Sequence, residues 1–94
     1  MSAYVGPLFK AQVYGGNWRY GEACHLLADT EEELHELACK IKLKRSWFQS
    51  KGSVPHYDLT PSKRLLAIKN GAVELDFRQE GLKIRELRLI RRAQ

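Results

Sequence analysis

The sequence predicts an α/β fold: a small single-domain sheet of about four strands, with two main helices and a basic C-terminal segment. Three observations predict it. Two segments open with a threonine cap followed by helix-forming residues, at Thr30 and at Thr60-Pro61. Short apolar or alternating runs stand between and beside them, as strands do when they alternate with helices. A length of 94 residues leaves room for one hydrophobic core and no second.

The elements follow in chain order. Residues 8–14 alternate, with Phe9, Ala11 and Val13 on one side and Lys10 and Gln12 on the other, which is a half-buried strand ended by Gly15-Gly16-Asn17. The run ACHLLA, residues 23–28, is a buried strand carrying one histidine. The helix after it is the best-marked element. Thr30 with Glu33 forms a capping box, and Glu31, Glu32 and Glu33 put negative charge where the helix dipole favours it. Leu34, Leu37, Ala38 and Ile41 make one apolar stripe, and Lys40 and Lys42 close the last turn. Residues 46–49, SWFQ, read as a short strand with two core aromatics, and 50–55 as a loop. A second helix starts at Thr60-Pro61 and ends at Gly71 in the left-handed conformation. Val73, Leu75 and Phe77 alternate with Glu74 and Asp76 as a last strand. The compact domain is therefore drawn over 1–78, with 79–94 a basic segment of helix or strand packed on it or used for contacts.

Composition narrows the class. Hydrophobic residues at 44% and charged residues at 29% are globular values. There is no run long enough to span a bilayer, and MSAYVGPLFK holds no apolar core of signal-peptide length, so a cytoplasmic protein without a membrane partner is expected. Cys24 and Cys39 are expected to be reduced thiols. The modest core leaves self-association into a homo-oligomer as one source of support. The net charge of +5 is concentrated in 79–94, where five cations face Glu80 and Glu86. Arg85, Arg88, Arg91 and Arg92 are candidate contacts for nucleic acid or an acidic protein.

The chemistry-bearing stretch is HYDLTPSKR, residues 56–64. Lys63 and Arg64 stand in the first turn of a helix, where the dipole disfavours cations but free N–H groups attract anions. A phosphate or carboxylate held there by Thr60, Lys63 and Arg64 would lie beside His56 and Asp58, the candidate proton-transfer groups, and Tyr57. Asp29 sits at the C-terminal end of the second strand, where ligands gather in α/β sheets, and His25 lies inside that strand. Gln49 beside Trp47 is placed to read a stacked base, and Trp18 and Tyr20 are candidate exposed contacts. The spacing supplies no metal motif. His25, His35 and His56 are weak candidates, with Asp29 or Asp58, should the fold bring them together; His35 and Cys39 alone are two ligands and not a site. No phosphate-binding loop, dinucleotide fingerprint or helix-turn-helix is readable, and no cofactor is expected.

The segments CHLLADT, ELH, RSWFQ, HYD, Lys63-Arg64, Ala67 and Gly71-Ala72, from about residue 23 to residue 75, resemble the small bacterial and phage proteins grouped as domain of unknown function 4031. The resemblance implies that His25, Asp29, His35, Trp47, Gln49, His56, Tyr57, Asp58 and Arg64 fall on signature positions. Members often open with a strand ending in two adjacent aspartates. The corresponding Tyr4-Val5-Gly6-Pro7 has no acid, which weighs against a metal-dependent enzyme. Three readings follow, in order: a pocket that binds a phosphorylated small molecule or nucleotide, with or without turnover; a nucleic-acid- or protein-binding module acting through the tail; and a metal-dependent hydrolase. A phage or prophage origin suits a small binder that sequesters a nucleotide.

Overall fold

The central element of the protein is a seven-residue strand whose two faces do different work. The computed structural model describes residues 2–10, 21–50 and 54–93. Five strands form one curled sheet: β1 (Ala3–Val5), β2 (Phe9–Lys10), β3 (Glu22–Ala28), β4 (Tyr57–Leu59) and β5 (Val73–Glu74). The helices are α1 (Glu31–Lys40), α2 (Pro61–Lys69) and α3 (Phe77–Ala93). β3 pairs antiparallel with β1, β2 and β4, and β5 adds parallel to β1.

Side chains alternate across a strand. Cys24, Leu26 and Ala28 of β3 therefore join Val5, Tyr57 and Leu59 in the main core, beneath Leu34, Leu37, Ala38 and Ile41 of α1 and Ala67 of α2. Leu27, on the opposite face, packs with Val54 and with Leu87 of α3. The result is three layers. Burial pushes the Cys24 thiol up to about 12, against the nearby Arg64 guanidinium and with help from Glu80 and Asp58, so it remains a neutral apolar residue.

β1 and β2 run along β3 in succession. Val5 lies opposite Leu26 and Phe9 opposite Ala23, four steps on one side against three on the other. The extra residue is a bulge. Gly6, at this offset, donates its N–H to the carbonyl of His25 (3.1 Å).

Both capped helices begin where their sequence signals place them. The Thr30 hydroxyl accepts from the Glu33 N–H (3.2 Å) and donates to the Glu33 carboxylate (3.0 Å), while Thr60 accepts from the Lys63 N–H (3.2 Å). Both also end alike. Leu43 N–H returns to Ala38 O (2.9 Å) and Ala72 N–H to Ala67 O (2.9 Å), the paired pattern that needs a left-handed residue between. In α2 that residue is Gly71, at φ 102°. In α1 it is Lys42, at φ 67°, the one non-glycine with positive φ among the described residues.

Three expectations are corrected. Residues 46–49 are not a strand: Arg45–Trp47 is a 3-10 turn, Gln49 bridges His56 singly, and Trp47 is 49% exposed. Only Phe48 turns inward, so the two aromatics do not share a core. The alternation at 73–77 stops after Glu74, because Asp76 and Gln79 exchange reciprocal capping bonds (2.8 and 2.9 Å) and start a helix at Phe77. The described part of the basic segment, residues 79–93, accordingly belongs to α3, whose Glu80 and Leu87 are buried. β1 and β4, at three residues each, have no counterpart among the predicted strands. Residues 11–14 of the first predicted strand, the Gly15-Gly16-Asn17 break, Trp18 and Tyr20 lie outside the described residues. Among the described residues, no helix is long and apolar enough to cross a membrane.

Candidate functional site

The face of β3 opposite the main core carries His25, and the pairing with β4 sets Asp58 directly across from it. His56 lies two residues before Asp58, and the period of two keeps it on the same face. Two imidazoles and a carboxylate thus meet through strand register alone. The rings of His25 and His56 are 5.1 Å apart at their centroids, edge to face. His25 Nε2 stands 3.9 Å and His56 Nε2 3.7 Å from Asp58 Oδ1. One ring nitrogen from each histidine and one Asp58 oxygen all lie within 4.8 Å of one another.

Each of the three is held from behind. His56 Nδ1 lies 3.0 Å from the Val54 carbonyl, which only accepts, so Nδ1 is the donor and, in the neutral ring, Nε2 is the nitrogen with the lone pair. Asp58 Oδ2 accepts from Gln49 Nε2 at 2.6 Å, which turns Oδ1 toward the imidazoles. His25 Nδ1 faces Glu80 Oε2 at 3.5 Å. The Glu80 carboxylate raises the His25 pKa, as does the charge of Asp58, while burial opposes. Phe9 packs against the His25 ring, 5.1 Å between centroids. His25 and Asp58 each keep 31% of their side-chain surface, so the cluster is open to solvent.

Glu80 is the residue that the sequence reading missed. It is 9% exposed, and its Oε2 has no hydrogen-bond partner among the described residues. It reaches the sheet over Gly6, where a Cβ would fall on its carboxyl group. An acid therefore does stand beside the Gly6-Pro7 run, brought there by α3. The available signal was its spacing, since Glu80, Ile84 and Leu87 fall at i, i+4 and i+7 on the face turned to the sheet.

His25, Gln49, His56 and Asp58 come together; the other predicted residues do not join them. Asp29 lies four residues beyond His25, just past the end of β3 and about 13 Å away. There it accepts from the Ser2 N–H (2.8 Å) and the Tyr4 hydroxyl (3.0 Å), at the edge of a cleft of ≈ 370 Å³ between α1 and α3. Tyr57 points into the main core, with its hydroxyl 2.9 Å from His35 Nδ1. His35 is thus on the far side of the sheet from the other two histidines. Lys63 donates to the Ile41 carbonyl (2.6 Å). Arg64 donates to the Gly6 carbonyl (2.8 Å) and pairs with Glu74 (3.0 Å), and Thr60 caps α2. The imidazoles meet beside α3, not at the mouth of α2. Arg85, Arg88, Arg91 and Arg92 lie on the exposed part of α3.

Two ligand atoms at about 2.1 Å from one ion, at a tetrahedral angle, stand about 3.4 Å apart. The His25–Asp58 and His56–Asp58 separations exceed that by a few tenths of an ångström, which small rotations close. Two neutral imidazoles and a carboxylate form a donor set suited to zinc or another divalent first-row metal.

Comparison with known proteins gives one family match. The model of a family described as protein of unknown function (DUF4031) covers residues 11–87. No curated protein and no solved structure matches the chain.

Proposed function

Since the chain belongs to the DUF4031 family, whose description carries no reaction, we propose from the site itself that the protein is a divalent-metal-dependent hydrolase acting on phosphate esters. The observation that carries this reading is the convergence of His25, His56 and Asp58 within 4.8 Å. The backing of each donor supports it: Glu80 behind His25, the Val54 carbonyl behind His56 and Gln49 behind Asp58. Outer partners of this kind fix the tautomer and orientation of metal ligands. Structural zinc sites close with four protein ligands, whereas three donors leave a position for water and substrate. Held by His25, His56 and Asp58, such an ion would supply Lewis acidity toward water and toward a phosphoryl oxygen. In the overall reaction water adds to phosphorus, the ester P–O bond breaks, and the departing oxygen takes up the proton that the water gives up. A net charge of +5 favours an anionic substrate.

The phosphorylated ligand expected from the sequence is kept in this reading, but its place moves. At the start of α2 both cations are already committed, Lys63 to a helix-end carbonyl and Arg64 to Gly6 and Glu74.

Calorimetric titration of chelator-stripped protein with zinc, manganese and cobalt tests the proposal, alongside cleavage of a chromogenic phosphodiester. The expected result is one ion per chain. Affinity should fall by more than about 100-fold in each of His25→Ala, His56→Ala and Asp58→Ala, since even outer-partner losses cost about 10- to 100-fold. Folded wild-type protein that takes up none of these ions, or variants that bind as well as wild type, would overturn it.

A further inference from the structure

We propose that the surface formed by Lys42, Lys44, Arg45 and Trp47 binds a single strand of nucleic acid, with a base stacked on Trp47 and its phosphates on the three cations. As the substrate class of the metal centre, this rests on the hydrolase reading; as a binding site, it stands alone.

The charge pattern is one-sided. Residues 37–57 contain no aspartate or glutamate, yet hold Lys40, Lys42, Lys44, Arg45 and Lys51. Lys40 is paired with Glu36 on α1. Lys42 is exposed just beyond α1, and Lys44 and Arg45 are exposed at the start of the 3-10 turn that ends at Trp47. Within that turn Trp47 exposes about half of its surface, with the Lys44 ammonium 5.6 Å from its ring, and Arg45 lies 4.9 Å from the Phe48 ring. An accessible indole among cations offers a base a stacking face and its phosphates counter-charges, the two components of single-strand recognition. A duplex keeps its base faces stacked inside and cannot use the indole.

Lys42 adds a second, independent observation. It occupies the left-handed position closing α1, which Gly71 fills in α2, at an energetic disadvantage that glycine would remove. That closure fixes where this cation leaves α1, two residues before Lys44.

Gln49, which holds Asp58, is two residues beyond Trp47, so their Cα atoms are at most about 7 Å apart. Arg45 lies over Phe48, which packs with His35 and Tyr57 on the other face of the sheet, so a strand held here would pass the Gln49–His56 edge to reach His25, His56 and Asp58.

The test is fluorescence anisotropy of labelled oligothymidylate and oligouridylate with the full chain, in chelator, so that binding is read without turnover. Trp47→Ala is expected to weaken binding about tenfold or more, while Trp47→Phe keeps most of it. Lys42→Ala, Lys44→Ala and Arg45→Ala should each lower the slope of log affinity against log salt by about 0.7. Circular dichroism confirms that these exposed substitutions leave the fold intact. Equal binding by Trp47→Ala, binding of duplex as tight as single strand, or loss of binding only when Arg85, Arg88, Arg91 and Arg92 are replaced would each overturn the proposal. Trp47-dependent binding without cleavage once metal is restored would count against the hydrolase reading and leave this site standing.

Discussion

Replacing Gly6 by alanine and Glu80 by alanine, singly and together, examines how α3 is joined to the histidine-bearing face of the sheet. A methyl group on Gly6 would overlap the Oε2 and Cδ of Glu80. The backbone cannot move aside without loss, because the Gly6 N–H is bound to the His25 carbonyl (3.1 Å) and its own carbonyl to Arg64 (2.8 Å). Glu80 must therefore swing out and give up its approach to His25. Overpacking costs about 1–3 kcal/mol, and a partly exposed ion contact at most about 1 kcal/mol. At 3.5 Å the His25–Glu80 pair is such a contact and not a hydrogen bond, so Gly6→Ala, which adds overpacking to its loss, should cost about 2 kcal/mol of stability. Glu80→Ala loses the ion contact alone and should cost about 1 kcal/mol. With Glu80 gone, the space at Gly6 is open, and the alanine should add less than about 0.5 kcal/mol. Urea denaturation of the four proteins in chelator, near neutral pH, gives the coupling energy, expected at about 1.5 kcal/mol. Additivity within about 0.5 kcal/mol would refute the reasoning. Glu80 would then not fill that space in solution.

Lys42→Gly should raise stability by about 1 kcal/mol and Gly71→Ala lower it by a similar amount, both read from the urea midpoint; no change in either would mean that the left-handed closures are not kept. His25 has a folded pKa above its unfolded value of 6.5, chiefly because of the Glu80 carboxylate. Its contribution is therefore complete below about pH 6.5 and disappears as pH rises through the folded value. In chelator, the stability advantage of wild type over Glu80→Gln should be larger at about pH 6 than at about pH 9, and a flat difference across that window would sink the assignment.

The parts of this fold that the sequence made legible are those whose signals close within a turn. Thr30 with Glu33, Thr60 with Pro61, and Gly71 each complete their own hydrogen bonds or torsions locally, and α1 and α2 lie where those residues put them. β1 and β4 were not legible because three residues are too few to display alternation. At 73–77 two local patterns competed, and the capping pair of Asp76 and Gln79 prevailed over the apolar alternation of Val73, Leu75 and Phe77. The family was readable from its motifs, and the match over 11–87 agrees with it. The candidate site was readable as ingredients only. His25, Gln49, His56 and Asp58 stand out in the sequence, but their meeting depends on the β3–β4 register, a long-range pairing. Lys63 and Arg64 look available in the sequence because the carbonyls of Ile41 and Gly6 that engage them are distant along the chain.

The alternation along β3 also constrains how this protein can change. Cys24, Leu26 and Ala28 seal the interior while His25 and Leu27 look the other way, so adding or deleting one residue in the strand would trade the two sets. An imidazole would be driven among aliphatic side chains and a leucine out to the solvent-facing pocket. A substitution alters one residue of the histidine face, whereas a single change of length would disturb both faces of the strand at once. Insertions and deletions should therefore be tolerated in the connections between strands and helices and not within β3.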